Sequence, residues 1–298
     1  MTARVNPNIL PDLLAGLDQV RQQLNQANQQ LASGRTIGVP SDNPSGSAAL
    51  ILNHAAQSST DTFQHNISDL QSRMQIADSA LNSAVGVLNQ GIALGVQAGN
   101  STLSDGDRQA IANQLVGIQQ QLVAIANTTA GGTYLFAGTL VETQPFTLNP
   151  LVANGVTYNG NSAVTPVEIA KGQNVNTNVP GDQLFLNSSG NLFAAINGLI
   201  NAVQTNSGIG AASVTFGQAV SQFETQRLAY GTVLNQLQST STFLSNQQMQ
   251  LATQENSIDG ADLAKAATNF SQAQIAYTAA LQAESKVLNL PNLLNFLP

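Results

Sequence analysis

Few side chains in this chain could do chemistry, and their spacing argues against it. The two histidines, His54 and His65, lie eleven apart. On one helix that is roughly three turns and about 16 Å, too far to share a metal or pass a proton. Both are expected to be helix-surface or interface residues. Asp42, beside Ser41 and Asn43, lacks the repeated oxygen ligands of a calcium loop, so a cap or turn before a helix starting at Ser45 is its expected role. Asp259 and Asp262 look like a carboxylate pair, but between a helical segment ending near Ile258 and one starting near Ala261 either is more simply an N-cap or first-turn residue. Gly131, Gly132 and Gly138 make no phosphate loop, because no Lys follows and no strand leads into a helix. The chain has no Cys, no HExxH and no GxSxG, so no catalytic residue, metal site or cofactor is expected.

The elements around these residues are built to pack. Only 8% of the 298 residues are charged, against roughly 25% in ordinary soluble proteins, and amides stand in for the missing charge. Hydrophobic residues reach 42%, but aromatics only 5%, with no Trp. A net charge of −7 with nine scattered bases offers no stripe to a phosphate backbone, so nucleic acid is not expected as a partner. No apolar run approaches the roughly 18 to 20 residues that span a bilayer, so no membrane insertion is expected. The first residues, MTARVNPNILPDLLAG, lack the pattern of a cleavable signal.

Long helices account for both ends. Leu10, Leu13, Leu17, Val20, Leu24, Ala27 and Leu31 recur at three and four, and Gly34 to Gly46 has the Gly and Pro density of a connector. Ile67, Leu70, Met74, Ala77, Leu81, Ala84 and Leu88 share one face of a second helix ending near Gly99. Ile111, Leu115, Ile118, Leu122 and Ile125 mark a third, with Asp105 as its expected cap. From Thr133 to about Asn187 the chain reads as short strands and turns, followed by a short helix near Leu192 to Val203 and a joint at Gly208 and Gly210. A fourth long helix is expected from about Thr215, where Phe223, Tyr230, Leu237, Leu244, Leu251 and Ile258 fall seven apart. Leu263, Phe270, Tyr277, Leu281 and Leu288 form the expected stripe of the last helix. The fold class is therefore mainly α with a β-rich insert: a long antiparallel helical rod with coiled-coil terminal helices and one small β-rich outer domain. The expected divisions are 1–44, 45–132, 133–211, 212–261 and 262–298. The insert, bounded near Gly132 and Gly210, is expected to be a module hung from the rod, so that a Gly-Ser linker could replace about Leu140 to Gly208.

LASGRTIGVPSDNPSG, from Leu31 to Gly46, resembles the block closing the first helix of the flagellin superfamily. Ser33, Gly34, Pro40, Ser41, Asp42 and Pro44 carry the likeness. DLAKAATNFSQAQIAYTAALQAESKVLNLPNLLNFL, from Asp262 to Leu297, is similar to the family's closing helix. NTTAGGTYLFAG, with Asn127, Gly132, Tyr134, Phe136 and Gly138, resembles the superfamily's hook-associated junction members. Asn43, where the family often has a second Asp, and the extra prolines Pro7 and Pro11 depart from the pattern.

The resemblance implies a structural adapter secreted through the flagellar type III apparatus without a cleaved signal and assembled as a homo-oligomeric ring between hook and filament. It implies a larger FlgK-like junction protein and flagellin as neighbours, and a FlgN-like export chaperone on the C-terminal helix. Filament flagellin itself is the alternative, and a secreted coiled-coil effector or adhesin a third reading. On the residues themselves, Leu10, Leu17, Leu24 and Leu31 with the stripe of the last helix form the expected assembly seam, with Phe270 and Tyr277 as anchors. Helices with such seams and no core of their own order when neighbours complete them. Limited proteolysis of the dilute monomer should therefore leave a core of about residues 45 to 260, and full protection of both ends would contradict this.

Overall fold

The computed structural model describes residues 9–288, with side chains from 11 to 286. Leu10 and Leu288, as side chains, and the tail after Leu288 thus lie outside the described residues. The helices are α1 (Ile9–Ser33), α2 (Pro44–Ala98), α3 (Asp105–Ala126), α4 (Gly181–Phe185), α5 (Leu192–Thr205), α6 (Ile209–Asp259) and α7 (Leu263–Leu288). Between α3 and α4 run six short strands: β1 (Thr129–Ala130), β2 (Thr133–Tyr134), β3 (Phe146–Leu148), β4 (Val156–Tyr158), β5 (Pro166–Ala170) and β6 (Gln173–Asn176). They pair as three antiparallel hairpins, β1-β2, β3-β4 and β5-β6. The chain forms two compact units, one of Ser59–Asn246 and one of the residues up to Ser58 with those from Gln247 onward.

The core belongs to the unit Ser59–Asn246. All seven residues of the α2 face from Ile67 to Leu88 are buried, none more than 3% exposed. Ile111, Leu115, Ile118 and Leu122 of α3 are buried with them, as are Phe223, Tyr230, Leu237 and Leu244 of α6. Burial pushes the Tyr230 phenol well above its ordinary range. The seven-residue spacing of α6 is thus a true inward stripe. With Arg227–Asp78 the one ion pair between α2 and α6 in this unit among the described residues, apolar burial supplies most of the cohesion, at about 25 cal/mol per Å².

The insert shares that core. Phe146 meets Tyr158, Phe185 and Phe193 at ring separations of 5.0, 5.4 and 5.3 Å. Phe185 in turn touches Phe223 of α6 at 5.4 Å, and α5 lies along α3. Such ring pairs add about 0.5 to 1.5 kcal/mol each beyond burial. The Tyr158 hydroxyl donates to Phe136 O, and burial, then the Asp182 charge, pushes its pKa up to about 12. The expectation of a module hung from the rod is corrected accordingly: its rings and the helical rod bury one another.

Local chemistry moved several boundaries. Gly181–Phe185 is helix, not strand, and carries Phe185 into the aromatic cluster. Ser104, not Asp105, caps α3, because Ser104 accepts from Asp107 N while the Asp107 side chain accepts from Ser104 N. Asp105 instead pairs with Arg108 one turn on. Gly208, at φ +69°, makes the turn, and α6 starts at Ile209 with Gly210 inside its first turn. Gly138 sits at φ +70°, where a Cβ would lie 2.1 Å from Asn161 O, so no other residue fits this turn. Replacing Leu140 to Gly208 by a linker should now abolish the cooperative melt of the Ser59–Asn246 unit. Phe223→Ala alone should lower its stability by about 3 to 5 kcal/mol in denaturant unfolding.

Candidate assembly interface

Among its described residues, the unit holding both chain ends buries almost no large apolar side chains. Leu50 is buried, but the contact between α1 and α7 rests on Ala27, Ala266 and Ala273. Half-buried Leu13, Leu17, Val20 and Leu24 extend the seam on α1, and Phe270, Tyr277 and Ala280 on α7. Alanine at the closest approach lets two helices lie near each other but buries little area. Phe270 and Tyr277 face this seam within the chain. Leu31 (41% exposed), Leu263 (56%) and Leu281 (40%) stay largely in solvent, joined by Leu14 and Ile275. The single stripe expected on α7 is therefore split between an inward seam and outward leucines, because Ala266, Ala273 and Ala280 occupy inward positions that the leucine spacing does not mark.

Beside the seam opens a groove of about 390 Å³, with Ala27, Ala273 and Ala276 between the amides of Gln23, Gln26, Gln30, Asn269 and Gln272. It has no ionisable lining group.

The connector from Gly34 to Asn43 is tied to the end of α6 by one buried carboxylate. Ser33 closes α1 with a hydroxyl donated to Gln29 O, and Gly34 leaves the helix at φ +68°. Gly34 O accepts from Ala261 N at 2.9 Å, and Thr36 N donates to Asp259 O at 2.7 Å, pairing the two connectors as strands would. Asp259, 2% exposed, accepts from Ile37 N at 2.7 Å and from Arg35 Nε. Its expected capping role is corrected: Asp262 alone caps α7, accepting from Ala264 N and Lys265 N. Asp42 closes the Pro40–Ser41 turn by accepting from Gly38 N and Val39 N, and Asn43 caps α2 by accepting from Gly46 N. The helix begins at Pro44, one residue before the expected start, since proline at the first position needs no N–H partner.

His54 is surface-exposed, its Nε2 3.0 Å from Glu255 Oε1. Gln57 donates to the other Glu255 oxygen, and Arg35 approaches at 3.4 Å. The His54 contact first, then that of Gln57, holds the Glu255 carboxyl below the ordinary glutamate range. His65 is exposed eleven positions on. Among the described residues no three His, Cys, Asp or Glu groups could hold a metal, and no helix is long and apolar enough to cross a membrane.

The second motif is a folding device. The Asn127 amide donates to Phe146 O and accepts from Phe146 N, acting as a strand-like partner at the head of β3. Gly131 and Gly132 turn the first hairpin at φ +57° and +81°. Phe136 is fully buried, edge-on to Phe185, while Tyr134 is half-buried.

A profile of the bacterial flagellin N-terminal helical region matches residues 10–140, and one of the flagellin C-terminal helical region matches 214–297. These cover more than two thirds of the chain, which belongs to the bacterial flagellin superfamily. Flagellar hook-associated protein 3 of Salmonella typhimurium is 29% identical over 51% of this chain and 47% of its own length. The Escherichia coli protein of that name is 32% identical over 45% and 42%. The matched stretch thus spans about half the length of these curated relatives. Flagellin A of Vibrio cholerae is 31% identical over 48% of this chain and 38% of its own. In fold, the chain is similar to the flagellar hook-associated protein 3 of Legionella pneumophila, with a TM-score of 0.64 at 17% identity over 70% of this chain and 98% of the other. It is also similar to Xanthomonas campestris FlgL, with a TM-score of 0.60 at 20% identity over 68% and 99%.

Arg35, Glu255 and the α7 alanines Ala266 and Ala273 were not singled out from sequence. Arg35 as the lone charge between Gly34 and Val39 was the available signal for the first. Asp259→Ala should orphan Ile37 N and release Arg35, costing about 1 to 3 kcal/mol, with faster amide exchange at Thr36 and Ile37. Because the Glu255 pKa is lowered in the folded chain, its contribution is complete above the ordinary glutamate range and is lost as pH falls through that lowered value. Amide protection around Arg35, measured as exchange relative to the intrinsic rate at each pH, should then fall on acidification, and Glu255→Gln should make that fall smaller.

Proposed function

We propose that this chain is a FlgL-like structural adapter that forms a ring at the junction of hook and filament. The observation that carries this reading is a terminal helix pair that buries mainly alanine and presents Leu14, Leu31, Leu263, Ile275 and Leu281 outward. Such a pair gains its apolar partners from other subunits. The likeness to hook-associated protein 3 in sequence and fold supports the junction over the filament.

In this proposal 1–44 and 262–298 form the inner domain, 45–132 and 212–261 the rod, and 133–211 the outward domain. The neighbours are a larger FlgK-like junction protein on one side and flagellin on the other. Export runs through the type III apparatus without a cleaved signal, with a FlgN-like chaperone on α7 beforehand. The seams and the amide groove carry few charges, so assembly should depend little on ionic strength.

Filament flagellin is the second reading, favoured by the match to Flagellin A. Counting copies in purified flagella separates them: the adapter should be present as one ring, and an amount equal to the filament subunit would refute the proposal. Phe270→Ala should weaken both chaperone binding and the α1–α7 pair, because its ring is half-buried within the chain. Ile275, 66% exposed, is the cleaner probe. Ile275→Ser should weaken chaperone binding and ring assembly, read by calorimetry and by filament attachment, while leaving the thermal melt of the monomer unchanged.

A further inference from the structure

In the unit Ser59–Asn246, a cavity of about 330 Å³ opens between α2 and the hairpins β1-β2 and β5-β6. Its size is that of a small-ligand pocket. Leu70 and Leu135 are its buried apolar residues, and Tyr134 also lines it. Asp69 and Arg73 line it from α2, one helical turn apart.

These two side chains are oddly placed. An Asp and an Arg at i and i+4 on a helix ordinarily pair. Here Arg73 turns instead to Thr133 Oγ1, at 3.3 Å through Nη2. Asp69 makes no hydrogen bond or ion pair to any described residue, and Arg73 uses one of its donors. The Tyr134 hydroxyl also lacks a partner among the described residues. The cavity therefore offers the exposed Asp69 carboxylate, spare Arg73 donors and the Tyr134 hydroxyl, none of them engaged by another described residue, beside the core leucines Leu70 and Leu135.

That set narrows the ligand. One carboxylate is too little for a metal ion. An anion would meet the Asp69 charge beside Arg73. A purely apolar molecule would desolvate both charges without pairing them. An extended peptide cannot readily add to the β5 edge, because Pro166 has no N–H and Glu168 O already accepts from Asn66 Nδ2 at 2.9 Å. A sugar ring suits this set, because neighbouring hydroxyls would donate to Asp69 and accept from Arg73, and its C–H face would be offered an aromatic ring at Tyr134. We propose that this cavity is a saccharide site, taking one pyranose as a free sugar or as the end residue of a glycan. The assignment is independent of the junction role.

Saturation-transfer NMR on the full chain tests it, with glucose, galactose, mannose, rhamnose and N-acetylglucosamine as probes, each also as a disaccharide. Transfer to at least one pyranose is expected, and Asp69→Ala and Arg73→Met should each weaken binding about tenfold or more while keeping the wild-type thermal melt. Tighter binding of disaccharides would assign a glycan end, and equal binding a free sugar. If either variant melts early, Asp69→Asn, which keeps the shape and removes the charge, takes its place. Transfer to none of the probes, or transfer unchanged in well-folded variants, would overturn the proposal.

Discussion

Helices of 55 and 51 residues in a chain with 8% charged residues can be held only by what packs along them. Ion pairs on helix surfaces contribute a few tenths of a kcal/mol each, and here there are few to count. Every other feature follows from how that demand for apolar partners is met. Between Ser59 and Asn246 it is met inside the chain, where α2, α3 and α6 bury leucine, isoleucine and phenylalanine against each other and against the insert. In the unit of the chain ends it is met only in part, by alanines and half-buried side chains.

The difference between the units is one of side-chain volume. A seam of Ala27, Ala266 and Ala273 brings helices close but removes little surface from water, whereas Phe146, Phe185, Phe193 and Phe223 each remove much more. Under the proposed adapter role this division is useful, because one unit carries its own core and the other leaves Leu14, Leu31, Leu263, Ile275 and Leu281 exposed.

Asp259 gives the weaker unit its definition. A buried carboxylate is tolerated only when its lone pairs are used, and Arg35 Nε and Ile37 N use them. Because those partners come from the N-terminal connector and the acid from the end of α6, the two ends of the chain are joined by directional bonds where nonspecific packing is thin. Glu255, with His54, Gln57 and Arg35 around it, repeats the arrangement one turn earlier.

Periodicity alone determined the long helices and their inward faces. Ile67 to Leu88 and Phe223 to Leu244 are buried as spaced, because apolar residues at three, four and seven can be satisfied on a helix in one way only. The connector opening at Gly34 was legible too, although the left-handed turns at Gly132 and Gly138 were not, and the choice of Ser104 over Asp105 and of Asn43 over Asp42 depended on which side-chain oxygen reached an unpaired N–H. Tertiary structure decided the rest. Which face of α7 turns inward was set by Ala266 and Ala273, since alanine carries almost no periodic signal. Asp259 meets Ile37 across 222 positions, and Asp69 fails to meet Arg73 across four, so neither could be read from spacing. Sequence patterns report what a residue shares with its neighbours along a helix, while a buried charge answers to whichever distant groups the fold brings against it.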